Sequence, residues 1–503
     1  MQAMQNARCQ QIPPTGAEPQ LRTGPPGSLD IPGLTKSGQS RDGHMPSGDL
    51  ASKLVIVMVG LPARGKSFIV NKLARYLNWL QHETHVFNAG ERRRRTAPTS
   101  LDARNPADVT SQSSAAFFNP NNKAFVSRRD EIALGVLDEL LDWIEAGGSI
   151  GILDATNSTR ERRKLVLSRI HDRLGPDLVV LFLESCCFDE AVLQRNFQLK
   201  LSGPDYKSQD PGTALEDFKK RVSLYEEAYA TLGKAEEDQM ISYAKVIDVG
   251  RKMNTHLIRG FLSTQVVEYM LGFNLSERQV WISCGGESLD DAEGRIGRRS
   301  DLSEDGTRYA IALARLIRKE RNAWEQKRRN GKHKPTTVKN SKSSSLAKKF
   351  YIWTSMMPQT TQTAAAFPNE QYAKTEVKLL DDLNAGDMAG LTFEEIAEQY
   401  PDVYAARKQH KMRYRWPGLG GESYADLIHR LKPVIVEVER MREHLLIISH
   451  RAVVRVLLAY YLDLRKSDLP DMVVPKTRAF LLQPVRVLRS RLTKATLTMT
   501  VYL

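Results

Sequence analysis

From residue 53 onward the chain alternates short, mostly β-branched apolar runs with longer amphipathic stretches. Residues 54–60 (LVIVMVG), 85–90 (HVFNAG), 149–155 (SIGILDA), 178–185 (LVVLFLES) and 244–250 (AKVIDVG) read as strands, and helical periodicity fills the gaps between them, as in KSFIVNKLARYLNWL and TALEDFKKRVSLYEEAYATL. A strand apolar at every position is covered on both faces, so the pattern predicts a parallel sheet with helices on either side. After a helix over 257–271 a second series begins: strands at 279–286, 349–355 and 444–450, with helices at 307–321 and 423–440. The expected architecture is α/β in two domains, 51–275 and 276–503, with the boundary in GFNLSE. Residues 1–50, rich in Pro, Gly, Ser and Gln and without apolar periodicity, are expected to be a disordered tail. The basic Ser/Lys-rich stretch 325–347 interrupts the second series and is expected to be an inserted surface loop.

Composition narrows the function classes. With 503 residues, 41% hydrophobic and 26% charged, the chain has the make-up of a globular protein and not of a collagen, a coiled coil or a wholly disordered chain. Its longest apolar runs fall far short of the roughly 20 residues that span a bilayer, and its first residues lack the apolar core of a secretory signal. No membrane partner and a cytoplasmic location are therefore expected. Four cysteines are too few for a disulfide framework. The net charge of +14 suits nucleic acid, acidic lipid or phosphorylated small molecules alike. Its main concentrations, Arg92–Arg95 and the 325–347 stretch, do not interleave aromatic residues with bases as single-strand binders do, so no nucleic-acid partner is expected.

The most specific chemistry lies where the first strand ends. Gly60-Leu61-Pro62-Ala63-Arg64-Gly65-Lys66-Ser67 satisfies G-x-x-x-x-G-K-[ST], with a strand before it and a helix after it. Glycines let backbone N–H groups wrap phosphates, the helix N-terminus favours an anion, Lys66 reaches the β- and γ-phosphates, and the Ser67 hydroxyl can ligate Mg²⁺. The plain alternative is an ordinary glycine-rich turn, and the surrounding strand and helix weigh against it. Asp154 ends the strand 149–155; there it can hold the Mg²⁺ shell or orient a hydroxyl, or it can simply cap a helix.

VGLPARGKS, FNAGERRR, FFNPNN, LDATNSTRERR, ESCC, KLSGPDYK, FKKRVSLY and KVIDVGR, in that order, resemble the kinase half of the bifunctional 6-phosphofructo-2-kinase/fructose-2,6-bisphosphatase family. The resemblance covers about residues 53–503. It implies a P-loop NTPase-type parallel-sheet domain followed by a histidine-phosphatase, phosphoglycerate-mutase-like α/β domain. The implied reaction is transfer of the γ-phosphoryl group of ATP, with Mg²⁺, to the 2-hydroxyl of fructose 6-phosphate, in a homodimer. Carried over by motif, Arg93, Arg94, Arg129, Arg162, Lys200, Arg221 and Tyr225 would hold the sugar 6-phosphate, Thr156 would touch the sugar, and Asn196 would meet ATP. Lys66 and Asp154 would be the catalytic pair, with Ser67 and Asp154 on the metal. Cys187 matches a cysteine of the family's kinase site but reads as packed and inert, since phosphoryl transfer needs no thiol nucleophile. The stretch 96–114 is longer than the family's and is expected to be an enlarged loop beside the cleft.

GESLDDAEGRIGRRSDLSEDG, LTFEEIAEQYP, RYRWPGLGGESYADL and SHRAVVRVLLAYYLD resemble the family's histidine-phosphatase half. Its Arg-His-Gly-Glu signature reads here Cys284-Gly285-Gly286-Glu287, so glycine replaces the nucleophilic histidine and cysteine an arginine. The second clamp arginine corresponds to Gln359 and the proton-donating acid to Asp382, while His450 persists. Bisphosphatase activity is therefore expected to be absent, because glycine cannot carry a phosphoryl group. Two rivals remain at this level: a non-catalytic sensor of sugar phosphate or nucleotide, and a nucleic-acid-stimulated ATPase favoured only by net charge.

Overall fold

A computed structural model describes residues 53–96, 115–203, 205–206, 210–330, 349–465, 467–484 and 497–502. The proposed tail at 1–50, the enlarged loop from residue 97 to 114 and most of the basic insert lie outside the described residues. The N-terminal half contains β1 (Leu54–Val59), α1 (Lys66–Trp79), β2 (Thr84–Asn88), α2 (Ala89–Thr96), α3 (Lys123–Glu145), β3 (Ile150–Asp154), α4 (Arg160–Leu174), β4 (Val179–Cys186), α5 (Glu190–Leu201), α6 (Pro211–Glu227), β5 (Tyr243–Ile247), β6 (Lys252–His256) and α7 (Phe261–Leu271). The C-terminal half contains β7 (Val280–Cys284), α8 (Glu304–Arg329), β8 (Phe350–Thr354), α9 (Pro358–Ala365), β9 (Tyr372–Glu376), α10 (Tyr424–Arg440), β10 (His444–Ser449), α11 (Arg451–Leu462), β11 (Ala479–Pro484) and β12 (Leu497–Tyr502).

Each half is built on one six-stranded sheet, ordered β2-β3-β1-β4-β5-β6 and β12-β11-β7-β10-β8-β9. Strand β1 shows why its sequence has no polar alternation. Leu54, Ile56 and Met58 pack with Ile69, Val70 and Leu73 of α1, whereas Val55, Val57 and Val59 pack with Val136, Leu137 and Leu140 of α3 and Val166 and Ile170 of α4. Each such side chain contributes about 1.5–3 kcal/mol by leaving water. Strand β10 alternates likewise, with Leu445 and Ile447 facing α10 and α11 and Leu446 and Ile448 facing the other side. The connection from β1 leads to β2 on one side of the sheet, while the connection from β3 crosses β1 to reach β4. This reversal opens a crevice at the carboxyl ends of β1 and β3, the place where open α/β sheets bind ligands.

The structure corrects several local expectations. The sheets are not wholly parallel, since β6 runs antiparallel to β5, and β11 antiparallel to β7 and β12. The outer strands KMNTH and YAKTE carry polar and charged residues suited to a sheet edge, and so lack the apolar signature. The strand expected over 85–90 stops at Asn88 and a helix starts at Ala89. The strand expected over 244–250 stops at Ile247, because Asp248 and Val249 take φ of 48° and 54°. The helix expected over 307–321 spans Glu304–Arg329, so 325–329 are helical and not part of a loop. Their Glu, Gln, Lys and Arg residues are good helix formers, and Arg321 pairs with Glu325 at 3.4 Å across one turn. No described helix is long and apolar enough to cross a membrane.

Candidate active site

The loop between β1 and α1 is shaped by backbone that few side chains tolerate. Gly60 has φ 137°, and a Cβ there would stand 2.6 Å from the Ser185 carbonyl oxygen; Gly65 takes φ 90° as the residue before α1. Since Gly65 offers no side-chain cap, the first-turn N–H groups of α1 stay available to an anion. Lys66 is buried and donates from Nζ to the carbonyl oxygens of Gly60 (2.7 Å) and Leu61 (2.6 Å), closing over the loop that would receive phosphate. Burial lowers its ammonium to about 7, against the pull of Asp154. A polyanion in the loop would supply the missing counter-charge.

Asp154, at the buried end of β3, faces this loop. Its Oδ2 accepts from Ser67 Oγ (3.3 Å) and from Asn88 Nδ2 (2.6 Å). Burial raises its carboxyl, and Lys66 and Lys200 oppose that rise. Asn88 also caps α2, with Oδ1 accepting from Glu91 N at 2.9 Å. Asn196 of α5 donates from Nδ2 to the Ala63 carbonyl at 2.8 Å, which places it over the loop. The side chain of Arg64 instead pairs with Glu226 at 2.9 Å, so only its backbone belongs to the cradle. Gly60 and Leu61 likewise contribute backbone alone.

Across the same crevice the basic residues gather from α2, α3, α4, α5 and α6. Asp205 organises three of them: Arg93 Nη2 lies at 2.7 Å, Arg221 Nη1 at 3.2 Å and Arg94 Nη1 at 3.6 Å. Burial alone would raise the Asp205 carboxyl, but Arg93 and Arg221 outweigh it and hold it at about 2. Arg221 stacks over the Phe118 ring at 3.8 Å, and Tyr225 packs 5.5 Å from the same ring. Arg129 donates to the Phe117 carbonyl at 2.8 Å, and Arg162 pairs with Asp130. Burial lowers Arg162 to about 10, and its Nε, like that of Arg221, is buried without a hydrogen-bond partner. Thr156 is tied in through its carbonyl, which accepts from Gly60 N at 2.9 Å.

Lys66, Ser67, Arg93, Arg94, Arg129, Asp154, Thr156, Arg162, Asn196, Lys200, Arg221 and Tyr225 all line one cavity of about 2260 Å³. Sequence reasoning missed Asn88, Phe118, Asp130 and Asp205 as partners of these groups. Asn88, Phe118 and Asp205 lie inside FNAGERRR, FFNPNN and KLSGPDYK, but nothing in their spacing shows which side chain they meet. The run Arg92–Arg95 is dispersed: Arg92 pairs with Glu139 and Arg95 with Glu91. Cys187 is buried, and burial raises its thiol, in keeping with a packed, unreactive side chain.

The corresponding edge of the second sheet is chemically different. Cys284 ends β7 and is buried, and burial pushes its thiol up to about 12. Gly285 donates its N–H to the Ser449 carbonyl at 2.8 Å, and a Cβ on it would stand 3.3 Å from Thr360 Cγ2. Gln359 is buried beside it, with Oε1 lacking a partner. His450 Nε2 meets Ser355 Oγ at 2.8 Å, and its Nδ1 lies 4.0 Å from Asp382 Oδ2. The order of these groups resembles a Ser-His-Asp array, but Ser355 is fully buried and 4.0 Å is too long for a hydrogen bond.

Comparison with known proteins follows the same division. The profile described as 6-phosphofructo-2-kinase matches residues 41–277, and that of the histidine phosphatase superfamily (branch 1) matches 343–484. Over 464 residues the chain is 46% identical to 6-phosphofructo-2-kinase 1 of Saccharomyces cerevisiae, covering 91% of this chain and 54% of that relative. A probable 6-phosphofructo-2-kinase of Schizosaccharomyces pombe is 41% identical, with 91% and 72% covered. The human 6-phosphofructo-2-kinase/fructose-2,6-bisphosphatase 3 is 38% identical, with 86% and 75% covered. The chain thus spans about half the length of the first of these relatives and about three quarters of the other two.

Proposed function

The chain belongs to the 6-phosphofructo-2-kinase family, and on that premise we propose that it transfers the γ-phosphoryl group of ATP to the 2-hydroxyl of fructose 6-phosphate. The observation that carries this reading is the pairing of two anion sites in one cavity: the Lys66 loop beside Asp154, and the Arg93–Arg94–Arg221 cluster opposite. The product is fructose 2,6-bisphosphate, a regulator of glycolytic flux. Asp154 and the Ser67 hydroxyl are hard oxygen donors 3.3 Å apart, a set that suits Mg²⁺ together with phosphate oxygens and water. When bound, the ion neutralises charge on the β- and γ-phosphates.

In this mechanism the helix N-terminus and the 60–67 backbone hold the ATP phosphates. Lys66 Nζ leaves the Gly60 and Leu61 carbonyls for the migrating phosphoryl group. The arginines fix the sugar 6-phosphate so that the 2-hydroxyl lies in line; the O2–Pγ bond forms as the bond from Pγ to the β-phosphate oxygen breaks, ADP leaves and the hydroxyl proton passes to solvent water. Most of the rate enhancement comes from positioning and charge neutralisation. An ATP-dependent assay for acid-labile fructose 2,6-bisphosphate tests the reading: product requires both substrates. A single-turnover experiment with labelled ATP that leaves fructose 6-phosphate unlabelled would favour a non-catalytic sensor instead.

The division of the cavity gives a kinetic prediction. Arg221→Ala and Arg94→Ala raise the KM for fructose 6-phosphate by about tenfold or more and leave the KM for ATP near wild type. An equal rise for both substrates in steady-state kinetics contradicts the assignment.

We assign no bisphosphatase activity to the second half. A phosphohistidine route needs a nucleophile, guanidinium groups around the phosphoryl and an acid for the leaving alkoxide. Gly285, Cys284 and Gln359 supply none of the first two, and Asp382 is one methylene short of a glutamate. Gly285→His is expected to release no inorganic phosphate from fructose 2,6-bisphosphate, because repairing one member of a set that acts as a unit returns almost nothing. The new side chain would also press on Thr360. Phosphate release by the wild-type protein that His450→Ala abolishes would overturn this assignment. We further propose a cytoplasmic homodimer, a reading supported by family membership. Sedimentation at micromolar concentration reads the assembly directly.

A further inference from the structure

The helix that forms the phosphate cradle is held at its far end by the other half of the molecule. Lys72 and Arg75 lie roughly 8 and 12 Å along α1 from Ser67, at 1.5 Å per residue. Both turn toward Glu439 near the end of α10. Lys72 Nζ lies 2.5 Å from Glu439 Oε2, and Arg75 Nη2 lies 3.5 Å from Oε1. The same Oε1 accepts from Tyr460 OH of α11 at 2.7 Å, and Tyr460 OH meets Tyr269 OH of α7 at 2.6 Å. The backbone around Glu439 is fixed as well: Asn274 Nδ2 donates to its carbonyl at 2.6 Å, and Arg278 Nη2 to the Val438 carbonyl at 2.8 Å. Tyr76, next to Arg75, stacks on Tyr269 at 3.9 Å, and one turn beyond Arg75 Trp79 Nε1 donates to the Val456 carbonyl at 3.1 Å. Burial by itself would raise the Glu439 carboxyl, but Lys72 and Arg75 outweigh it and hold it at about 2.

We infer that Glu439 is a positioning residue of the kinase site: by clamping Lys72 and Arg75 it fixes the axis of α1, and with it the placement of Lys66, Ser67 and the first-turn N–H groups against ATP. A purely apolar contact between the halves would let α1 slide or roll on its neighbour. A buried carboxylate shared by two cations and a tyrosine allows one register, because any other leaves a charge unpaired in the interior. The second half would thus retain a task in the kinase reaction that requires no chemistry of its own. The inference rests on the kinase reading of the 60–67 loop. A wild-type protein without kinase activity would defeat that reading, whereas an active wild type with unperturbed variants would defeat only the role of Glu439.

The test measures both KM values and kcat in the full chain for Glu439→Gln, for Lys72→Met and for the Lys72→Met/Glu439→Gln pair, with circular dichroism to establish folding. A change that only lowers the folded fraction reduces apparent kcat and leaves KM alone. The expected result is a KM for ATP raised about fivefold in Glu439→Gln and less in Lys72→Met, with the KM for fructose 6-phosphate unchanged. The double variant carries no lone lysine charge opposite an amide, so it folds at least as well as Glu439→Gln while still showing the raised KM for ATP. If Glu439→Gln does not fold, Lys72→Met and the double variant decide by the same measure. A KM for ATP within about twofold of wild type in every folded variant overturns the inference.

Discussion

Lys66→Ala is expected to lower kcat for fructose 2,6-bisphosphate formation by about 10²–10³-fold while the protein stays folded. Lys66 is the side chain of the 60–67 loop with a charge free to follow the moving phosphoryl group. Arg64 is tied to Glu226, and Ser67 is turned toward Asp154. The Lys66 ammonium rests on two backbone carbonyls. Its removal leaves these two carbonyl oxygens without the Lys66 donor and shortens a buried side chain, a local change at the start of α1. A charge contact made to a developing transition state in a water-poor site amounts to several kcal/mol. Retention of more than about a tenth of wild-type kcat by a folded Lys66→Ala protein would mean that phosphate is held elsewhere.

Asp154→Asn is expected to be nearly as severe, at about 10²-fold or more in kcat, but with a different signature. The amide keeps the shape of the carboxylate and can still accept from Asn88 Nδ2 and Ser67 Oγ, so the end of β3 stays in place. What disappears is a negative charge beside Lys66 and a hard oxygen donor for the metal-bound nucleotide. The Mg²⁺ concentration giving half-maximal rate should rise in Asp154→Asn and stay near wild type in Lys66→Ala. A titration in which Asp154→Asn shows wild-type rate and wild-type Mg²⁺ dependence would reduce Asp154 to a structural end-of-strand residue.

Much of this protein was written locally. The run Leu54–Val59 is apolar at every position because its two faces meet different helices, and that demand is visible without coordinates. The 60–67 loop declares itself because glycines are obligatory where backbone approaches backbone, as Gly60 does with Ser185. The proposed replacement of the phosphatase signature by Cys284 and Gly285 is equally a matter of reading consecutive residues. The edge strands β6 and β9 were illegible for the opposite reason: a strand with one neighbour and a wet face needs no apolar pattern. The pairing of charges was also beyond the sequence. Arg93 and Asp205 are 112 positions apart, and Lys72 and Glu439 are 367 apart; spacing carries no information at such separations. Sequence alone was enough to propose which residues would hold a nucleotide, a metal and a sugar phosphate, since those capacities reside in side-chain chemistry and local backbone. Tertiary structure decided which carboxylate each arginine faces and which half of the chain steadies α1, because a buried charge selects its partner only once packing has excluded water from around it.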